Sequence, residues 1–169
     1  MNITLEQLLA ARDDRRATQI RLLHDHPGAS LLVLTVNIPG SEKRTNESVA
    51  IGGAGVRELL RRLGDSLVTF TMRDLQTGYE GYFVTTLPAL EAKRLAVSIE
   101  DEHPLGRLFD IDAMAEGGQP IPGSAVGRPE RPCLLCGKPA RECMRSQRHS
   151  IPELLKEIKR IHDGYFQRT

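Results

Sequence analysis

Leu108 to Met114 (LFDIDAM) alternates apolar and acidic side chains, and this stretch decides how the rest of the chain is interpreted. A period of two is typical of a strand with one buried face. Residues two apart on a strand share a face and stand about 6.5–7 Å apart, so Asp110 and Asp112 are predicted to lie side by side. Carboxylates this close repel each other unless a cation neutralises them. Mg²⁺ is the favoured ion, because it is held by one or two carboxylates together with substrate phosphates.

The residues just before this strand suit a bound phosphate. Arg107 carries a fixed positive charge for bidentate contact with phosphate oxygens. Gly106 would allow a bulky anionic ligand to approach the backbone. His103 is a candidate general base, although a His before a Pro also fits the end of a helix. The set is compatible with metal-assisted phosphoryl or nucleotidyl transfer. The two aspartates by themselves favour the alternative, a polar strand face turned to water.

Glycoside hydrolysis by the same carboxylate pair is disfavoured. That chemistry also uses two acidic side chains, but it needs a platform on which sugars stack. The chain has no Trp and is only 4% aromatic, so such a platform is hard to assemble.

Strand and helix patterns interleave along the rest of the chain, which predicts an α/β or α+β class. We expect an α+β protein with a mixed sheet and flanking helices. Residues 1–122 are predicted to be the catalytic core, and residues 123–169 a connector, a Cys-rich segment and a C-terminal helix packed on that core. The predicted helices are 4–24, 56–63, 88–102 and 152–165, and the predicted strands are 30–38, 67–72, 81–86 and 108–114. A glycine cluster at 52–55, read as a turn before a helix, could present N–H groups to phosphate or be an ordinary turn.

The cysteine segment has the spacing C-x2-C-x6-C-x5-H and comprises Cys133, Cys136, Cys143 and His149. The first pair has the separation of a zinc knuckle, and three Cys with one His form a known structural zinc set. The alternative is three reduced cysteines packed under the last helix. Several basic residues surround the segment, which fits an acidic protein partner or a polyphosphate. A zinc-ribbon protein that binds nucleic acid is therefore a second reading, and it predicts no role for the aspartates.

Composition and the distribution of apolar residues limit the kinds of partner and the location expected for the protein. The 169 residues carry a formal net charge of +1, whereas a nucleic-acid-binding domain usually shows a basic excess. No apolar stretch approaches the roughly 20 residues of a membrane span. Met1 to Gln7 lacks the basic flank and apolar block of a signal peptide. We therefore expect a cytoplasmic protein with neither a membrane nor a nucleic acid as partner.

Four stretches together resemble the holo-citrate lyase synthase family. Together with the closing helix, they extend the resemblance in order over nearly the whole chain. Two departures from the expected pattern, Phe109 in place of Trp and Ser41 in place of Pro, involve no charged group. The stretches are RDDRRATQ (12–19), LLVLTVNIPGSEK (31–43), HPLGRLFDID (103–112) and CLLCGKPARECMRSQRH (133–149).

The resemblance implies a reaction and its participants. Triphosphoribosyl-dephospho-CoA would lose diphosphate as a serine of the citrate lyase acyl carrier subunit attacks, leaving a phosphodiester-linked prosthetic group. It implies a nucleotidyltransferase-like core, Asp110 and Asp112 as the catalytic pair with Mg²⁺, and Arg107 as a phosphate ligand. Weaker carry-overs to substrate phosphate are Arg12, Arg16, Lys43 and the glycines at 52–55. The zinc prediction rests on cysteine spacing alone. A non-catalytic assembly protein that only holds the carrier subunit is the remaining alternative.

Overall fold

The computed structural model describes residues 3–167. Residues 1, 2, 168 and 169, which the two predicted domains and the N-terminal stretch Met1 to Gln7 include, lie outside that range. The helices are α1 (Leu5–Asp25), α2 (Asn46–Leu63), α3 (Ala89–Glu102), α4 (Ala140–Arg145) and α5 (Ile151–Phe166). The strands are β1 (Ser30–Val36), β2 (Leu67–Leu75), β3 (Gly78–Thr85) and β4 (Phe109–Met114).

The four strands form one sheet in the order β2-β3-β1-β4. The predicted α+β class with flanking helices is confirmed, but every strand pairing is antiparallel where a mixed sheet was expected. The reason is the split βαβ arrangement. Helix α2 joins two strands that run parallel, β1 and β2, but β3 is inserted between them. Strands β3 and β4 also run parallel to each other, and β1 lies between them. Two parallel strands are therefore never neighbours in this sheet.

The sheet has two differently covered faces. Leu32, Leu34 and Phe109 face the main core, which is closed by α2, α3 and α5. Leu31 and Val33 face the other side, where Leu22 of α1 covers only part of the sheet; this smaller cluster also contains Tyr82, Val84 and Met114. The incompletely covered face is the one that can hold a functional site.

The glycine cluster lies inside α2 and is not a turn before it. The helix begins at Asn46, after a capping box formed by Thr45 and Ser48. A Cβ on Gly52 would lie 2.5 Å from the Tyr79 ring, and one on Gly55 would lie 2.8 Å from Leu34. These glycines allow α2 to pack closely on the sheet, so the predicted backbone phosphate site at 52–55 is wrong.

The C-terminal helix α5 belongs to the main core. Ile158 is 5% exposed within that core, and Ile161, Tyr165 and Phe166 pack against it. The helix begins with a capping box between Ser150 and Glu153. None of the helices within residues 3–167 combines the length and the apolar character that crossing a membrane requires.

Candidate functional site

The aspartate pair lies on the partly covered face of the sheet. Asp110 and Asp112 alternate with buried neighbours along β4, and they stand opposite Thr35 and Val33 of β1. Both line a cleft of about 1630 Å³ between the sheet, the connector and the cysteine segment. The predicted strand and the shared face of the two carboxylates are therefore confirmed.

Although β4 is an edge strand, its outer backbone groups are hydrogen-bonded. Ile111 N–H donates to Glu100 Oε1 at 2.7 Å, and Lys93 Nζ donates to the Ile111 carbonyl at 3.3 Å. Arg131 donates to the Phe109 carbonyl at 3.0 Å. These bonds satisfy an edge that would otherwise be open to pairing. They also hold rigid the strand that carries the carboxylates.

The pair is only partly neutralised. Burial raises the pKa of Asp112, and repulsion from Asp110 raises it further. The nearest cation to Asp110 is Arg131, whose Nη1 lies 3.9 Å from Oδ1. Two carboxylates whose negative charge is only partly compensated suit a hard divalent cation.

Three of the cations predicted to bind phosphate line the cleft. Arg12 and Lys43 line it beside Asp110, and Arg107 also lines it. Arg107 donates to the Pro132 carbonyl, so it lies where the sheet meets the cysteine segment. Burial lowers the pKa of Arg107, as do the neighbouring Arg131 and Arg128. The cleft thus contains several positive charges together with the carboxylate pair.

Arg16 is not brought to the cleft. Its guanidinium donates to the carbonyls of Gly118 and Gly117, in the turn that follows β4. It therefore ties α1 to the sheet. Arg15, which sequence reasoning did not select, lines a smaller cavity with Arg12 and Asp110. Arg15 follows Arg12 by three residues, and that spacing on a helix places both on one face.

His103 lies on the opposite face of the sheet from the aspartates. Its ring packs against Phe109 and Tyr165, with centroids 5.1 and 5.3 Å apart. Its Nδ1 accepts a 3.0 Å hydrogen bond from Leu105 N–H. Burial lowers the pKa of His103. The residue ends α3 and closes the core, and the structure does not bring it to the carboxylates as a base.

Gly106 is required by internal packing. A Cβ at this position would lie 2.4 Å from the Glu100 carbonyl oxygen and 2.7 Å from that of Ile99. The backbone therefore approaches the end of α3, and Gly106 is buried away from the cleft.

Gly106→Ala is expected to destabilise the fold by about 3 kcal/mol or more, because backbone atoms cannot yield to the added methyl group. The matched control is Gly164→Ala in α5, where a Cβ meets nothing within 4 Å. That change should stabilise the protein by about 0.5–1 kcal/mol. Urea unfolding of both variants tests the pair, and equal stabilities would contradict this account of Gly106.

The four predicted metal ligands converge. One ligand atom from each of Cys133, Cys136, Cys143 and His149 lies within 4.8 Å of all the others. The Cys136 and Cys143 sulfurs are 3.5 Å apart, and His149 Nε2 is 3.3 Å from Cys136 Sγ. A tetrahedral ion with Zn–S bonds of about 2.3 Å needs sulfurs about 3.8 Å apart. The cluster therefore could hold a metal ion.

The backbone around the cluster also favours a thiolate. Burial alone would raise the pKa of Cys133, but the N–H groups of Leu135 and Cys136 and the neighbouring thiols lower it to about 7. Gly137 adopts a φ of +70° in the turn that follows, a conformation that favours glycine. Cys133 and Cys143 line the same cleft as the aspartates, so the cysteine segment forms one of its walls.

Two carboxylates that share a cleft with several cations, on an α+β fold, form an arrangement suited to enzymes that transfer phosphate-bearing groups. The family model described as apo-citrate lyase phosphoribosyl-dephospho-CoA transferase matches residues 3–165. The chain belongs to this family and is a transferase.

Individual relatives agree over almost the full length. A probable apo-citrate lyase phosphoribosyl-dephospho-CoA transferase of Streptococcus pyogenes serotype M18 (strain MGAS8232) is 34% identical over 170 residues, covering 98% of this chain and 88% of the relative. A protein of the same description from Vibrio cholerae serotype O1 (strain M66-2) is 35% identical over 169 residues, covering 98% of this chain and 94% of the relative.

Proposed function

We propose that the protein transfers the phosphoribosyl-dephospho-CoA group from its triphosphoribosyl precursor to a serine of the apo-citrate lyase acyl carrier subunit. The serine Oγ forms a bond to the proximal phosphorus, the bond from that phosphorus to the diphosphate breaks, and diphosphate leaves. The observation that carries the proposal is the carboxylate pair opening into a cleft of about 1630 Å³ that several cations line. Such a cleft has room for a large nucleotide-like substrate and the charge to bind its phosphates.

Asp110 and Asp112 are the residues that would hold Mg²⁺. When bound there, the ion would neutralise charge on the triphosphate and on the departing diphosphate. Arg107, Arg12 and Lys43 bind substrate oxygens along the cleft. The serine proton passes to a carboxylate of the pair, because His103 lies beyond the sheet and contacts Phe109 there. The attacking serine comes from the partner, so the chain itself needs no nucleophile.

The cysteine cluster is proposed to hold a structural Zn²⁺, since three sulfurs and an imidazole nitrogen form a preferred zinc donor set. The basic residues around it are proposed to dock the acyl carrier subunit. Docking at this wall would place the carrier serine at the mouth of the cleft, close to the carboxylates. The basic residues are Arg131, Lys138, Arg141, Arg145 and Arg148.

The transfer is tested by mass spectrometry of the apo acyl carrier subunit. The subunit is incubated with this protein, Mg²⁺ and triphosphoribosyl-dephospho-CoA, beside an Asp110→Asn, Asp112→Asn double variant. We expect a mass gain equal to the phosphoribosyl-dephospho-CoA group with the wild-type protein and none with the double variant.

The other outcomes are equally informative. The absence of a mass gain with folded wild-type protein would refute the proposed transfer and favour a non-catalytic assembly role. A gain that persists in the double variant would keep the reaction and move its centre away from β4. Circular dichroism of both proteins confirms that a missing product does not reflect a missing fold.

A further inference from the structure

A second, smaller cavity lies beside the carboxylate pair, between α1 and the sheet. Its volume is about 240 Å³, and we call it the α1 cavity. Arg12 and Arg15 reach it from α1, Lys43 reaches it from the loop after β1, and Asp110 stands at its border. Among the residues that the structure describes, the lining therefore carries three positive charges against one negative charge.

Arg12 and Lys43 make no ion pair with a carboxylate within residues 3–167. Lys43 Nζ donates to the Ile38 carbonyl, which satisfies a donor but leaves the charge unpaired. Burial lowers the pKa of Lys43, and repulsion from Arg12 lowers it further. Cations that repel each other in a partly buried cavity are stabilised when an anion binds between them.

Arg15 is held in place by a buried carboxylate. Its Nε donates to Glu80 Oε1 at 2.8 Å, and the Glu80 side chain is only 1% exposed. The other oxygen, Oε2, accepts from Arg73 Nη2 and from the Tyr82 hydroxyl, each at 2.6 Å. Both carboxylate oxygens of Glu80 thus accept hydrogen bonds, and Oε1 holds the Nε edge of the Arg15 guanidinium in place.

Arg15 is also one of the residues that line the α1 cavity. Within the described part of the chain, neither Nη group of Arg15 makes a hydrogen bond, while the side chain lines the cavity. Glu80 and Asp110 flank Thr35 in one cross-strand row, which places them about 10 Å apart. Arg15 lies above this row and also acts on Asp112, whose pKa it lowers against the larger effects that raise it.

We propose that the α1 cavity binds a diphosphate group, with Arg15 as a direct ligand and Glu80 as the residue that positions it. The proposal rests on the transfer function above, for which the cavity would receive the two phosphates that leave. A guanidinium with its Nε occupied still offers two Nη groups for bidentate contact with phosphate oxygens. Arg12 and Lys43 supply the remaining charge, and Asp110 borders both this cavity and the cleft where transfer occurs.

The probe is inorganic diphosphate, and its binding is measured by isothermal titration calorimetry without carrier subunit or nucleotide. Arg15→Gln is expected to weaken diphosphate binding about 10- to 100-fold, the effect of losing charge-assisted hydrogen bonds. The control is Arg21→Gln on the same helix, where the side chain is 66% exposed, and it should bind like the wild type. Orthophosphate should bind more weakly than diphosphate to the wild type, because it fills one half of the site.

A double-mutant cycle separates positioning from general support of the fold. Glu80→Gln is expected to weaken diphosphate binding in the wild-type background and to have no further effect in the Arg15→Gln background. Additive effects would overturn the positioning role of Glu80. Arg15→Lys serves as a second variant that leaves Glu80 intact, and it should retain part of the affinity, since it keeps the charge but loses the bidentate contact.

Wild-type affinity in Arg15→Gln would overturn the proposal itself, even if the protein proved to be an active transferase. Conversely, a loss of affinity in Arg15→Gln supports the diphosphate site even if the carrier subunit is never modified. The two proposals can therefore fail separately.

Discussion

Asp112→Asn is expected to abolish transfer and, at the same time, to make the metal-free protein more stable. Transfer should fall at least about 100-fold, as for the loss of a group that stabilises developing charge. The stability gain follows from the position of Asp112, where burial and repulsion from Asp110 both disfavour the charged form. Removing this penalty should raise the melting temperature, by about 2–4 °C for each kcal/mol gained in a chain of this size.

The sign of the pH dependence follows from the raised pKa. A carboxyl whose pKa is higher in the folded state contributes stability below its unfolded pKa and loses that contribution as pH rises through its folded pKa. The wild type should therefore be no less stable than Asp112→Asn near pH 4. The variant should become the more stable of the two as pH rises through the pKa of Asp112.

The measurement is thermal unfolding from pH 4 to 8 in the presence of a chelator. Asp110→Asn is the informative comparison, because its side chain is 48% exposed: it should lose transfer with little gain in stability. Asp13→Asn, on the exposed side of α1, should change neither quantity. A wild type that remains more stable than Asp112→Asn at every pH would contradict the incomplete neutralisation described for this pair.

Removal of the proposed Zn²⁺ is expected to have the second large effect. Binding at about 1,000 times the dissociation constant stabilises a fold by about 4 kcal/mol. Chelation should therefore lower the melting temperature of the wild type by about 10 °C. Because the cluster lines the cleft, affinity for the nucleotide should fall as well.

Metal analysis and Co²⁺ substitution test this directly. One zinc per chain and a thiolate-to-cobalt absorption band are expected for the wild type, and both should be lost in Cys136→Ser. The melting temperature of that variant should also no longer fall when chelator is added. The control is Met144→Ser, which replaces an exposed residue next to Cys143 and should respond to chelator like the wild type. A wild type that contains no zinc and is indifferent to chelator would leave the cysteines as reduced core residues.

Local patterns predicted the elements, while their packing required the structure. The period of two placed Asp110 and Asp112 on one face, and the Cys and His spacing anticipated a cluster that does converge. The positions of His103 and Arg16 depend on which face of the sheet each element covers, which no local pattern specifies. The role of Gly106 is set by the carbonyl oxygens of α3, seven residues away at the furthest.

Glu80 illustrates what the sequence could not provide. It stands just before the strand predicted at 81–86, yet it is 1% exposed and bonded to side chains from α1, β2 and β3. Such a group is recognisable only once its partners are in place. The helical spacing of Arg12 and Arg15 was available in the sequence, but their shared cavity depends on how α1 crosses the sheet.

The closure of the β4 edge has a consequence for any attempt to shorten the chain. Glu100 is 3% exposed and holds the Ile111 N–H, and its counter-charge, Arg128, comes from beyond residue 122. A fragment ending at 122 would bury that carboxylate without its cation, a loss that costs about 3–5 kcal/mol. The fragment would also lose the hydrogen bond that Arg131 donates to the Phe109 carbonyl. The C-terminal quarter is therefore expected to be no removable appendage. Truncation at this boundary should weaken the strand that carries Asp110 and Asp112 and leave it with an exposed, aggregation-prone edge.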